Sequence, residues 1–123
     1  MGKTILIVED SSMTRSMIRA VAEELDEVET VEASSGFEAL RTLPTQPVNL
    51  IITDINMPDI NGLELINFVK RDPKYKDIPL IIISTEKSEE DKRRGMAIGA
   101  DGYLTKPFKS DELTAMIKKF LGL

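Results

Sequence analysis

The chain has 123 residues, of which 41% are hydrophobic and 30% are charged, and its formal net charge is −5. This length and composition are typical of one soluble globular domain. Histidine and cysteine are both absent, which excludes Ser/His/Asp triads, histidine phosphocarriers, disulfides, and zinc sites built on thiolates or imidazoles.

The same composition limits the surroundings and partners of the chain. Its negative charge argues against nonspecific nucleic-acid binding, because no basic stripe is present to neutralise phosphates. The longest apolar runs are about six residues, too short to span a membrane. The N-terminus lacks the basic and apolar regions of a secretory signal, so we expect a cytoplasmic protein.

The hydrophobic pattern alternates between strand and helix five times. Continuous or alternating apolar runs predict strands, and apolar residues at helical spacing predict helices. The predicted strands are 4–8, 27–31, 48–53, 80–83 and 103–104. The predicted helices are 13–25, 36–43, 63–69, 89–98 and 111–121. Ser11 or Ser12 could cap the first helix, Gly99 would end the fourth in a left-handed conformation, and Ser110 would cap the last.

This alternation predicts the fold class. Parallel strands need crossover connections, and these are almost always right-handed, so we expect a doubly wound parallel α/β sheet of five strands flanked by five helices. Periodicity does not determine the order of the strands. No repeat or interdomain linker is found, and we expect one domain over 1–123 without an output domain.

Acidic residues follow two of the predicted strands. Glu9 and Asp10 come directly after the first strand, and Asp54 comes directly after the third. If these strands are neighbours, the acids converge at the sheet edge where open α/β sheets bind ligands. At about 4 Å and an effective dielectric of about 20, each pair would repel by roughly 4 kcal/mol. Lys106 alone cannot balance three acids, so a divalent metal is implied, and oxygen ligands favour Mg²⁺, Mn²⁺ or Ca²⁺.

Each of these features also has a simpler interpretation. The Glu9 and Asp10 pair could be a solvated turn, and the residues after Asp54 include several turn formers. Met13 and Met17 are best explained as packing in the core or at its rim. The charged run 86–94 is, by default, a solvated helix face. Asp54 becomes strong evidence together with Glu9, Asp10 and Lys106. Ser84, at the end of the fourth strand, gains meaning because it would face the same edge of the sheet.

Four segments together carry a resemblance to a known family. They are IVEDSS, DINMPDING, IIIST and GADGYLTKPF, in this order and at this spacing. The chain resembles, over its whole length, the receiver domain of bacterial two-component response regulators. The stand-alone chemotaxis type, CheY-like, is the most similar form. The resemblance implies a flavodoxin-like sheet with strand order 2-1-3-4-5.

The resemblance also implies a metal-assisted phosphoryl site. Asp54 matches the phosphoacceptor, which takes a phosphoryl group from a histidine on a partner kinase and becomes an aspartyl phosphate. Glu9 and Asp10 match the acidic pair that holds Mg²⁺ together with Asp54, and the backbone carbonyl of Asn56 completes the metal site. Glu9 departs from the double aspartate of many members, and its longer side chain could place a water between it and the metal.

Other matched positions imply a switch. Ser84 matches the hydroxyl that binds the phosphoryl group, and Lys106 matches the cation that pairs with another of its oxygens. Tyr103 matches the aromatic residue whose inward turn accompanies activation. Asn56 and Glu86 are expected to tune the rate of dephosphorylation.

We therefore expect a phosphorylation-switched signalling protein that catalyses only its own phosphorylation and dephosphorylation. The expected partners are a histidine kinase and a downstream protein, such as a flagellar motor switch protein or a histidine phosphotransfer protein. We expect a monomer that binds neither nucleic acid nor membrane. Chemotaxis is the first expectation, and an intermediate in a phosphorelay would share the same residues.

Two other classes compete with this hypothesis. A small phosphatase of the haloacid dehalogenase type also uses an aspartate nucleophile, but it expects an acid two residues later, where this chain has Asn56. A flavodoxin-like electron carrier would need a phosphate-binding loop after the first strand. Glu9 and Asp10 would repel that phosphate.

Overall fold

The computed structural model describes residues 2–85 and 89–123, in which five parallel strands form one sheet. The strands are β1 Lys3–Val8, β2 Val28–Ala33, β3 Leu50–Thr53, β4 Leu80–Thr85 and β5 Gly102–Lys106. The helices are α1 Ser12–Glu23, α2 Gly36–Thr42, α3 Gly62–Arg71, α4 Glu89–Ile98 and α5 Ser110–Leu121, with a 3-10 turn at Leu43–Thr45. The strand order is β2-β1-β3-β4-β5, so the predicted doubly wound fold and its order are confirmed.

Two hydrophobic clusters lie on opposite faces of the sheet. Successive strand side chains point to opposite faces, and in β1 Ile7 joins one cluster while Val8 joins the other. Helices α1 and α5 cover the first cluster, and α2 and α3 cover the second. Burial on both faces explains why the central strands are continuous apolar runs.

Helix α4 has a sparser packing than the other helices. Among its residues Glu89–Ile98, the buried one is Gly95, while Ile98 is partly buried against the second cluster. A Cβ on Gly95 would collide with the Cδ1 of Ile82 in β4. The missing side chain therefore lets α4 lie close to the sheet, although it gives the helix little apolar surface to bury.

Several predicted ends shift in the structure. Ser11, rather than Ser12, caps α1, because its hydroxyl accepts from the N–H of Thr14 at 3.3 Å. The prediction that Ser110 caps the last helix is wrong. Ser110 is the first helical residue, and Lys109 precedes it with its N–H donating to the Glu112 carboxylate at 3.0 Å. The Glu112 carboxylate thus holds the backbone N–H of the residue that precedes the helix.

The ends of strands and of α4 also have local causes. Glu27, predicted to open β2, has a φ of +66° and belongs to the preceding turn, so β2 begins at Val28. Gly99 follows α4 with a φ of +136°, in the left-handed region predicted for it. β3 begins at Leu50 instead of position 48, and β5 extends to Lys106.

The two methionines of α1 do not belong to the core. Met13 is 74% exposed and Met17 is 52% exposed, because α1 buries Ile18, Val21 and Ala22 instead.

Among the described helices, none has both the length and the apolar character that a membrane crossing requires.

Candidate functional site

The three predicted acids meet at the carboxyl edge of the sheet. Val8 of β1 is in register with Thr53 of β3, so Glu9 and Asp54 follow neighbouring strand ends. The N–H of Asp54 donates to the Val8 carbonyl at 3.0 Å. One carboxylate oxygen from each of Glu9, Asp10 and Asp54 lies within 4.8 Å of the other two. The acids therefore cluster as the sequence predicts.

Lys106 reaches this cluster from the end of β5. Its Nζ donates to Glu9 Oε1 at 2.8 Å and lies 3.6 Å from Asp54 Oδ2. Glu9 is 1% exposed, and its other oxygen accepts from the N–H of Ser11 at 3.0 Å. Burial raises the pKa of Glu9 above its ordinary value, and the hydrogen bond from Lys106 opposes that effect. The Lys106 ammonium group therefore interacts mainly with Glu9.

The two oxygens of Asp54 have different surroundings. Oδ1 accepts from the N–H of Ile55 at 2.8 Å, whereas Oδ2 faces Lys106. The backbone carbonyl of Asp54 lies against Gly62, where an added Cβ would collide with it. The N–H of Gly62 also donates to the Ile55 carbonyl at 2.8 Å. A glycine at the start of α3 is thus needed for the helix to come this close to the Asp54 backbone.

Within residues 2–85 and 89–123, the positive charge near the cluster is smaller than its negative charge. Glu9, Asp10 and Asp54 supply three carboxylates, and Lys106 is the cation paired with them among the described residues. Asp10 is exposed, whereas Glu9 and Asp54 are buried. An all-oxygen set with excess negative charge suits a hard divalent cation such as Mg²⁺.

Ser84 presents an unpaired hydroxyl inside the protein. It is fully buried near the end of β4, and its Oγ has no hydrogen-bond partner among the described residues. Ser84 is in register with Thr105, one residue before Lys106. A buried hydroxyl without a partner costs free energy, and the role of Ser84 in binding a phosphoryl oxygen stays a prediction.

We expect Ser84→Ala to stabilise the protein in the absence of metal and phosphate. Removing the orphaned hydroxyl should raise the free energy of unfolding by about 1 kcal/mol. Urea denaturation measures this change. Ser11→Ala is the control, because it removes a serine hydroxyl that has a partner, and it should lower the free energy of unfolding by about 1 kcal/mol. Equal destabilisation by both variants would contradict the assignment.

Other predicted residues lie around this centre. Tyr103 in β5 is partly buried against the second cluster, and the Nζ of Lys92 in α4 lies 5.3 Å from its ring centroid. Asn56 is exposed in the loop that follows Asp54. The role of its carbonyl as a metal ligand stays a prediction. Glu86 lies outside the described residues.

Asp59 is a residue that the sequence analysis did not single out. It lies in the loop between β3 and α3, and its two carboxylate oxygens accept from the N–H groups of Gly36 and Phe37 at 3.2 and 3.0 Å. Hydrogen bonds to the backbone, that of Phe37 first, lower the pKa of Asp59 to about 2. Asp59 therefore connects the loop of the phosphoacceptor candidate to the first turn of α2.

We expect Asp59→Ala to destabilise the protein in a pH-dependent way. A lowered pKa means that the ionised carboxylate stabilises the folded state above its ordinary pKa of 3.8, and that this contribution is lost as the pH falls to about 2. The difference in free energy of unfolding between parent and variant should shrink over that interval. Asp59→Asn, which keeps one acceptor oxygen without the charge, should lie between them. A difference that is independent of pH would contradict the proposed charge effect.

The family model of the response regulator receiver domain matches residues 5–118. Among similar proteins, the phosphate regulon transcriptional regulatory protein PhoB of Pseudomonas aeruginosa is 41% identical over 120 residues, which cover 98% of this chain and 52% of that protein. A chemotaxis protein CheY homologue of Campylobacter jejuni is 35% identical over 119 residues, covering 96% of this chain and 92% of the homologue.

The solved structures include similar chains of the same size. The chemotaxis protein CheY4 of Vibrio cholerae has a TM-score of 0.90 and 33% sequence identity, covering 98% of this chain and 100% of that chain. The present chain thus spans about half of the PhoB protein and nearly all of the CheY homologue.

Proposed function

Because the chain belongs to the response regulator receiver domain family, we propose that it takes a phosphoryl group from a histidine kinase onto Asp54 and changes its binding surface in response. The observation that carries this proposal is the position of Asp54 Oδ2, 3.6 Å from the Lys106 ammonium and within a cluster of acids. The buried, unpaired Ser84 supplies a further group for a phosphoryl oxygen.

Mg²⁺ is the metal that we infer for this site. The carboxylates of Glu9, Asp10 and Asp54, with the backbone carbonyl of Asn56, would hold it. When bound, it supplies positive charge to the oxygens of the transferred phosphoryl group. The Lys106 Nζ holds Glu9 Oε1 at 2.8 Å, so the lysine and the metal would compete for this carboxylate.

The residues then divide the work of phosphoryl transfer. An Asp54 oxygen forms a bond to phosphorus as the bond from phosphorus to the donor nitrogen breaks, and the departing imidazole keeps that electron pair. Lys106 pairs with one phosphoryl oxygen, and the Ser84 hydroxyl donates to another. A hollow of about 370 Å³ borders Lys106 and is lined also by Met17 and Phe108, and the donor group would approach from this side.

The new phosphoryl group would change the protein surface through Ser84 and Tyr103. Movement of Ser84 toward the phosphoryl oxygens leaves space that the Tyr103 ring can fill. Tyr103 lies in β5 and Lys92 of α4 lies over its ring, so its movement would alter the surface formed by α4, β5 and α5. We propose that this surface binds the downstream protein.

Phosphorylation by a small donor tests this function. Incubation with acetyl phosphate and Mg²⁺ should add the mass of one phosphoryl group, and chelation of the metal should prevent the addition. The linkage should be labile to hydroxylamine, as expected of an acyl phosphate. Absence of labelling, or steady hydrolysis of phosphomonoesters without a stable adduct, would contradict the receiver function and favour a phosphatase.

Two cellular processes are proposed for the chain. The CheY homologue matches over nearly its whole length, which supports a chemotaxis role with a flagellar motor switch protein as partner. The PhoB relative has the higher identity, which supports a role as the receiver part of a transcriptional regulator. Transfer rates from a panel of histidine kinases loaded with radiolabelled ATP would distinguish these roles from a phosphorelay intermediate.

The lifetime of the phosphoryl group gives a further prediction. Asn56 is exposed beside Asp54, where its amide could orient a water molecule that attacks the phosphorus. We expect Asn56→Met to slow the loss of label several-fold by excluding that water, while the yield of phosphorylation stays at the parental level. Decay of the radiolabel measures the rate. Decay at the parental rate would mean that Asn56 does not control it.

A further inference from the structure

Arg15 connects the metal-binding turn to two other elements. Its Nη1 donates to the backbone carbonyl of Glu9 at 2.7 Å, and its Nε donates to Glu32 Oε1 in β2 at 2.8 Å. The Arg15 side chain is 19% exposed. One planar guanidinium thus joins α1, β2 and the turn between β1 and α1.

These contacts complete the hydrogen bonding of the Glu9 backbone. The N–H of Glu9 donates to the Ala33 carbonyl at the end of β2 at 3.0 Å, and its carbonyl accepts from Arg15. Both polar groups of this residue are therefore held from the β2 side of the sheet. Asp10, which follows it, is exposed, so the position of the Asp10 carboxylate depends on how this turn is held.

We infer that Arg15 is a positioning residue for the metal site, which holds the turn after β1 so that the Glu9 and Asp10 carboxylates face Asp54. This inference rests on the proposed function, since it concerns the same acids. Arg15 does not touch the metal. It acts through the Glu9 carbonyl, and Glu32 fixes the guanidinium in the orientation that this contact needs.

A second interpretation of Arg15 predicts the opposite change in Mg²⁺ affinity. If it were only a cation near the site, removing it would strengthen Mg²⁺ binding, because like charges repel. If it positions the turn, removing it weakens Mg²⁺ binding, because the carboxylates lose their arrangement. The sign of the change therefore separates the two roles.

Arg19 provides a matched control in the same network. Its Nη1 donates to the other oxygen of Glu32 at 2.9 Å, and its Nε donates to Glu23 at 3.2 Å. Arg19 thus shares an acidic partner and one helix with Arg15, whereas the Glu9 carbonyl is bound by Arg15. Loss of either arginine leaves Glu32 with one cation.

The experiment titrates the folded protein with Mg²⁺ alone and follows backbone amide shifts by NMR. We expect Arg15→Gln to raise the Mg²⁺ dissociation constant about tenfold, at the low end of the effects of residues that orient metal ligands. Arg19→Gln should stay near the parental value. Arg15→Lys keeps the charge but cannot make both contacts, so it should also weaken binding, and the Ser11 amide should exchange faster with solvent in this variant.

Two outcomes would overturn the inference. The first is that Arg15→Gln binds Mg²⁺ as tightly as the parent or more tightly. The second is that Arg15→Lys binds Mg²⁺ as tightly as the parent. Arg15→Lys preserves the charge and is the milder change for folding. The proposed function fails separately, if the parent takes no phosphoryl group from acetyl phosphate. Weakened Mg²⁺ binding in the Arg15 variants of such a parent would still support the positioning role.

Discussion

Asp54→Asn should abolish labelling by acetyl phosphate and Mg²⁺ completely. The substitution replaces the attacking carboxylate with an amide, which is a poor nucleophile. It also removes one of the three acids in the cluster. Mass spectrometry of the intact protein measures the adduct, and peptide mapping locates it. The variant should also melt at a higher temperature than the parent without metal, since one source of like-charge repulsion is gone.

Asp59→Asn is the control for this result. It makes the same change five positions further along the same loop, at an exposed carboxylate that faces the first turn of α2. Asp59→Asn should therefore retain labelling. Full labelling of Asp54→Asn would exclude Asp54 as the acceptor.

Lys106→Met should change metal binding and phosphorylation in opposite directions. The Lys106 ammonium lies 2.8 Å from Glu9 Oε1, so its loss frees a carboxylate for Mg²⁺. At about 4 Å and an effective dielectric of about 20, the interaction between two unit charges is roughly 4 kcal/mol, so the loss of the Lys106 charge has a large effect on a nearby cation. Even when solvent screens part of this energy, the remainder is enough to tighten Mg²⁺ binding about tenfold, which requires about 1.4 kcal/mol.

The rate of labelling of Lys106→Met should fall roughly a hundredfold, the usual loss when one group that stabilises transition-state charge is removed. Mg²⁺ titration and the initial rate of labelling measure the two effects on the same samples. Lys118→Met, at an exposed position of α5, is the control and should change neither value. Weaker Mg²⁺ binding by Lys106→Met would show that the lysine does not compete with the metal.

The sequence was sufficient for the order of the elements and for the acids at the sheet edge. Both follow from rules that act along the chain: burial on both faces makes a strand a continuous apolar run, and parallel strands bring their carboxyl ends together. Placing Glu9, Asp10 and Asp54 in one cluster also needed β1 and β3 to be neighbours, and this strand order came from the family resemblance and not from periodicity.

Contacts between distant segments could not be predicted in this way. Asp59 accepts from backbone groups 22 and 23 positions away, and nothing in its own loop indicates which helix it faces. Arg15 has the spacing of an ordinary helix surface residue, and its bond to Glu9 depends on the path of the turn. The start of the last helix was predicted one residue too late, because Ser110 is itself the first helical residue and Lys109 occupies the capping position.

The sparse packing of α4 has a consequence for the variety of partners. Gly95 is its buried residue, and most other positions in Glu89–Ile98 are exposed charges or small side chains. Substitutions at those exposed positions leave the core undisturbed, so the side chains that α4 presents to solvent can change while the sheet and the acid cluster stay the same. On the proposed function, this freedom would let related chains share one phosphorylation chemistry and differ in the protein that they bind.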